Sequence, residues 1–157
     1  MCKNYLQKYT KGHNMTLQDL LSLPQAILIG SRALGVAKPN SDYDIVIPLS
    51  SIPTMLQERL DTGGNFSIER YFSKIPSLGR GWFFDYVFVS GTKVNVQVIV
   101  LENELDLEHL QYAMEDLQKL PKYMLVEKHI RIALFESALV HYGWITPIKD
   151  PLTDIPY

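Results

Sequence analysis

"ILIGSRALGVAKPNSDYDIVIP" (residues 27–48) decides how the fold is read. A short apolar run ends in Gly30-Ser31. A basic residue, Arg32, and a second glycine, Gly35, follow. A second apolar run then opens on Asp42-Tyr43-Asp44. Two like charges at the head of a buried strand are unfavourable unless something compensates them. Side chains alternate along a strand, so Asp42 and Asp44 are expected on one face, with Tyr43, Ile45 and Ile47 on the other. A glycine between a strand and a helix lets the backbone turn sharply, and the turn presents N–H groups suited to an anion. Ser31 adds a hydroxyl at that mouth. A divalent cation between the carboxylates removes their repulsion, and Mg²⁺ favours one or two carboxylates completed by phosphate oxygens and water. The turn and the carboxylate pair are therefore complementary halves of a site for a metal-bound phosphate. Either half alone is commonly just a turn or a solvated pair; their order within strand–turn–helix–strand carries the reading.

Working outward, "TLQDLLSLP" before the motif predicts a short helix capped by Thr16. "PTMLQERL" from Pro53 predicts another, with proline at its start. "FSIERYF" reads as a third strand. "WFFDYVFV" and "KVNVQVIVL" flank Ser90-Gly91-Thr92 and read as a hairpin. Beyond Leu101 two helical segments follow, separated by Pro121, and Ile130, Ala133, Leu134 and Ala138 are expected to form the apolar stripe of the second. The tail after Trp144 is proline-rich. The expected fold is α+β: a mixed or antiparallel sheet with helices on one face, then C-terminal helices. Residues 1–101 form the core and residues 102–157 a helical region packed on it as one compact unit.

The chain has 157 residues, a formal net charge of −2 and one cysteine, Cys2. That charge argues against a broad nucleic-acid footprint. A lone cysteine excludes an internal disulfide and a cysteine-based zinc site. The polar N-terminus lacks an apolar leader, and no window is long and apolar enough for a membrane span, so a cytoplasmic location is expected. His13, His109, His129 and His141 are scattered without metal-ligand spacing. Lys74 and Arg80 read first as solvated loop charges, with reach to a phosphate or an acceptor as the alternative. Lys128 and Arg131, three apart on one helix face, read first as a surface pair beside Glu127, with phosphate binding as the alternative.

On Gly30, Ser31, Arg32, Gly35, Asp42 and Asp44, the chain resembles the nucleotidyltransferase superfamily that shares the DNA polymerase beta-like catalytic fold, and in particular its minimal members. The resemblance is clear over residues 26–48 and follows in element order to Leu101. It implies transfer of a nucleoside monophosphate from an NTP to an acceptor hydroxyl, dependent on Mg²⁺ or Mn²⁺, with pyrophosphate released. By the same carry-over Gly30, Ser31 and Arg32 bind the nucleotide, with Gly30 and Ser31 on the triphosphate and Arg32 at the family's basic position, and Asp42 and Asp44 are the catalytic metal ligands. The acceptor is an RNA end, a protein or a small molecule. Some small family members are antitoxins that modify a partner toxin, so a partner protein belongs to the same expectation.

The family's third carboxylate lies on a later central strand. "KVNVQVIV" holds none there, and Gln97 is the matching position. An amide can hydrogen-bond a hydroxyl but is no base near neutral pH. The neighbouring strand offers Asp85. A two-residue Gly91-Thr92 turn pairs Tyr86 with Gln97 and Asp85 with Val98, which turns Asp85 away from Gln97. A three-residue loop brings Asp85 to the Gln97 face. The two-residue turn is the expectation. The alternative to an active transferase is then a catalytically degenerate member of the fold that binds a nucleotide or a protein partner; a globular interaction protein is the third reading.

Overall fold

The computed structural model describes residues 15–61, 66–67, 81–84, 89–90 and 94–144. Strand β1 (Met15–Thr16) leads into α1 (Leu17–Leu21). The Thr16 hydroxyl accepts from the Asp19 N–H at 3.0 Å, and the Asp19 carboxylate accepts from the Thr16 N–H at 2.9 Å. This reciprocal cap is the one the Thr16–Asp19 spacing predicts. Strand β2 (Ile27–Ile29) runs into α2 (Gly30–Leu34), which Gly35 ends in the left-handed conformation. Strand β3 (Tyr43–Pro48) and α3 (Thr54–Asp61) follow, then β4 (Phe66–Ser67), β5 (Gly81–Phe84), β6 (Val89–Ser90) and β7 (Val96–Leu101). Helices α4 (Glu104–Gln118) and α5 (Lys128–His141) complete the described chain.

Five strands form one mixed sheet in the order β2-β3-β7-β5-β4. Its centre is the parallel pair β3–β7, flanked by antiparallel partners. Both central strands are apolar at almost every position, as strands covered on both faces must be. Ile45, Ile47, Val96, Val98 and Val100 pack on one face with Leu20 of α1 and Leu56 of α3. Val46, Ile99 and Leu101 pack on the other with Leu110 and Met114 of α4 and Leu139 of α5. The α+β class and mixed sheet agree with expectation. The two long helices share one face, and the short α1 and α3 cover the opposite one. Among the described residues no helix is long and apolar enough to cross a membrane.

Two expectations are corrected. Strand β5 pairs antiparallel with β7 as the hairpin reading requires, but Phe84, not Asp85, stands opposite Val98. That register is one residue away from the one a two-residue Gly91-Thr92 turn sets. Strand β6 pairs in parallel with β1, with Val89 opposite Met15. A shift of one residue turns every side chain of the strand to the other face. The argument that turned Asp85 away from Gln97 therefore fails. Asp85 itself lies outside the described residues, as do Lys74 and Arg80.

The stripe on α5 is the second correction. Ile130 and Ala133 are exposed, whereas Leu134, Phe135, Ala138 and Leu139 pack inward. The helix carries apolar residues on most of its circumference, so periodicity alone could not choose a face. Contact with α4 chooses it.

Candidate functional site

The site begins with Gly30. Its φ is +74°, a value side-chain-bearing residues rarely adopt. A Cβ there would lie 2.7 Å from Oδ2 of Asp44, well inside contact distance. Glycine is thus required twice: for the turn, and to let the Asp44 carboxylate lie against it. The antiparallel pairing sets this up, because Ile29 stands opposite Asp44. On the other side of β3, the parallel register places Gln97 of β7 opposite Asp44.

These residues face one cleft of about 480 Å³. One wall carries Gly30, Ser31, Ser41, Asp42, Asp44 and Gln97. Leu34 and Met114 add apolar surface from α2 and α4. The facing wall is α5, which presents Lys128, Arg131, Ile132, Phe135 and Glu136. Their spacing of three, four, seven and eight residues from Lys128 is that of one helix face. Ser31 and Asp42 are half-buried, and their side chains make no hydrogen bond among the described residues.

Arg32, expected to meet the ligand, lies outside the cleft lining. Its Nη2 donates to the carbonyl oxygens of Ser41 at 2.9 Å and Pro39 at 3.1 Å, and Nε also reaches Ser41 at 3.3 Å. The guanidinium stacks on Tyr43, 4.4 Å from the ring centroid. The loop is closed further by Lys38, whose N–H donates to the Ser41 hydroxyl at 2.8 Å. Arg32 therefore clamps the loop that delivers Asp42.

Lys128 is exposed and Arg131 lies near Glu127, as the surface-pair reading expects, and both also line the cleft. The Glu127 carboxylate caps α5 by accepting from the Ile130 N–H at 2.9 Å. That bond, with another from His129 and the nearby His129 and Arg131 charges, holds its carboxyl below the usual range. Arg131 donates through Nη1 to the carbonyl oxygens of Leu125 at 3.0 Å and Val126 at 3.2 Å. This ties the guanidinium to the turn before α5, and Arg131 lines the cleft. Glu136 had not been singled out. Its signal was present as the helical spacing from Lys128 and Arg131, but that spacing has meaning only once the face is known to line a cleft.

Asp42 and Asp44 offer hard oxygen donors beside the Gly30 turn, which fits a small divalent cation. Among the described residues no group of three His, Cys, Asp or Glu side chains could hold a metal by itself. An ion on this pair would complete its shell with ligand oxygens and water, as Mg²⁺ does with phosphates. The electrostatic layout agrees: Asp42 and Asp44 lie on one wall, Lys128 and Arg131 on the other with Glu136 further along the helix, and an anion with its counter-cation fits between the carboxylate pair and the cations.

The model of the family described as "Nucleotidyltransferase domain" matches residues 14–138, which is well over half of the chain and includes both walls of the cleft. No curated protein and no solved structure matches the chain.

Proposed function

The chain belongs to the nucleotidyltransferase domain family, and from that premise we propose that it moves a nucleoside monophosphate from a Mg²⁺-bound NTP to an acceptor hydroxyl, releasing pyrophosphate. One observation carries this reading: the Gly30-Ser31 turn, Asp42 and Asp44 face Lys128 and Arg131 across a single cleft. In this reading Ser31 and the Gly30 backbone grip the triphosphate. Lys128 and Arg131 neutralise its charge from the opposite wall. Asp42 and Asp44 hold the divalent ion, which supplies further charge neutralisation at the phosphates. Arg32 keeps Asp42 in place through its clamp on the 38–41 loop. The acceptor is an RNA end, a protein hydroxyl or a small molecule.

The test is release of pyrophosphate, and transfer of α-phosphate label, from each common NTP with Mg²⁺. The wild-type chain is expected to show it, and Asp42→Ala/Asp44→Ala to lose at least about 100-fold of the rate, since charge stabilisation of this kind is worth that much in a single donor. Equal rates in the two chains would sink the transferase reading. A second reading is favoured by Gln97, whose amide stands opposite Asp44 where the resemblance leads one to look for a carboxylate. In that reading the cleft binds a Mg²⁺–nucleotide without turnover. Mg²⁺-dependent binding with no pyrophosphate release in any chain is its signature.

A further inference from the structure

We propose that Glu136 of α5 is the proton acceptor for the attacking hydroxyl, doing from the helical wall what Gln97 cannot do from the sheet. The inference rests on the transferase reading above. Glu136 is half-buried and lines the same cleft as Asp42, Asp44 and Gln97. It makes no hydrogen bond or ion pair among the described residues. It does not join Asp42 and Asp44 in a three-carboxylate metal cluster. A carboxylate that faces the site yet stands apart from the metal pair is suited to a proton rather than to the ion.

The order of groups along α5 gives the division of labour. Lys128 and Arg131 occupy its N-terminal end, and Glu136 lies eight residues after Lys128, roughly 12 Å along the axis at the helical rise. Ile132 and Phe135 line the cleft between them. The triphosphate is drawn to the cationic end and repelled by Glu136. A neutral hydroxyl is the group that can approach the carboxylate at the other end. The charged groups that face the cleft with Glu136 are Asp42 from the loop before β3, Asp44 from β3, and Lys128 and Arg131 from its own helix. In the step, the acceptor oxygen bonds to the α-phosphorus while its proton passes to the Glu136 carboxylate. The bond from that phosphorus to the α–β bridging oxygen breaks, and the electron pair leaves on pyrophosphate.

The experiment uses the full chain, the NTP it binds best, Mg²⁺, and water as the acceptor, with pyrophosphate release as the rate. Glu136→Gln keeps shape and hydrogen bonding but not basicity. It is expected to lower the rate by about 100-fold or more, the usual worth of a positioned base. Calorimetric affinity for the Mg²⁺–NTP should stay within about twofold, which separates loss of chemistry from loss of binding. The melting temperature without ligand should be unchanged or raised, because a half-buried carboxylate without a partner among the described residues becomes a neutral amide. Glu136→Ala should regain part of its rate when sodium formate supplies a small carboxylate, a rescue that a structural role would not produce. A Glu136→Gln rate within about threefold of wild type overturns the proposal, as does an equal loss of affinity and rate. A wild-type chain that binds the Mg²⁺–NTP without releasing pyrophosphate also overturns it, while nucleotide binding stands. Wild-type binding that Asp44→Ala fails to weaken removes the underlying reading instead.

Discussion

One wall of the cleft comes from a single run of chain, residues 27–48, and the other from α5, far down the sequence. The first wall is held by backbone constraints that admit little variation. Gly30 has a φ that excludes a side chain and space that excludes one as well, and Asp44 lies against it. The second wall is held by packing. Leu134, Phe135, Ala138 and Leu139 seat α5 on the core, and Lys128, Arg131, Ile132 and Phe135 carry that same face toward the N-terminal end, where it lines the cleft. A site built this way has one wall whose geometry is set locally and one whose geometry is inherited from the core. Errors in the first should act on ligand binding directly. Errors at the entrance of the second should act on stability first.

The sharpest way to break this comparison is a pair of glycines. Gly30 and Gly35 have nearly the same φ, +74° and +73°. Alanine at either position costs about 1–2 kcal/mol of backbone strain. The neighbours differ. A Cβ at Gly30 meets the Asp44 carboxylate at 2.7 Å, whereas at Gly35 it meets the flexible end of Lys122 at 3.1 Å. Gly30→Ala is therefore expected to lose both stability and most Mg²⁺–NTP affinity, and Gly35→Ala to lose stability alone. Thermal melts and calorimetric titrations of both variants check this. Equal affinity losses would show that the glycine strain, and not the Asp44 contact, matters.

Arg32 should give the next largest effect. Arg32→Ala removes hydrogen bonds to two loop carbonyls and the contact with Tyr43. Charge-assisted bonds of this kind are worth about 1.5–3 kcal/mol, so the loop holding Asp42 should loosen and affinity fall by about tenfold or more. Arg32→Lys keeps the charge but not the fork, and should recover only a small part. Full recovery by lysine would indicate that Arg32 meets the phosphates directly, as the family resemblance implies.

The same contrast explains what could be read from the residues alone. The strand–turn–helix–strand order, the Thr16 cap and the sharing of one cleft by Asp42 and Asp44 all follow from short-range rules, and all appear as expected. Gln97 was legible as a position because β7 alternates, but its pairing with Asp44 depends on a parallel crossover that no local signal specifies. The β5 register was not legible because it is one residue away from the one the chosen turn type sets, and β6 pairs in parallel with β1, which no local signal specifies. Arg32 was read as a ligand-facing cation; its carbonyl partners lie seven and nine residues on, and a charge in a motif gives no hint that they will absorb its donors. The α5 wall was hidden for a further reason. With apolar residues around most of the helix, the choice of Leu139 over Ile130 as the buried residue is made by α4.

The smallest expected effect probes the entrance of the second wall. Glu127 caps α5 immediately before Lys128, and the Ile130 N–H holds its carboxyl below the ordinary value of 4.5. A carboxyl whose folded value is depressed contributes stability that is present above its unfolded value and is lost as pH falls through the folded value. Glu127→Ala should thus lower the melting temperature slightly at neutral pH. The gap between variant and wild type should close in acid, once the wild-type carboxylate is protonated as well. Glu127 is solvent-exposed, so the gap stays small, and added salt should shrink the part of it due to the nearby charges. Mg²⁺–NTP affinity should change little, because Arg131 still ties the start of α5 to Leu125 and Val126. An affinity loss as large as that of Gly30→Ala would mean that the first turn of α5 is as tightly constrained as the Gly30 turn, and the distinction between a locally set wall and a packed one would no longer hold.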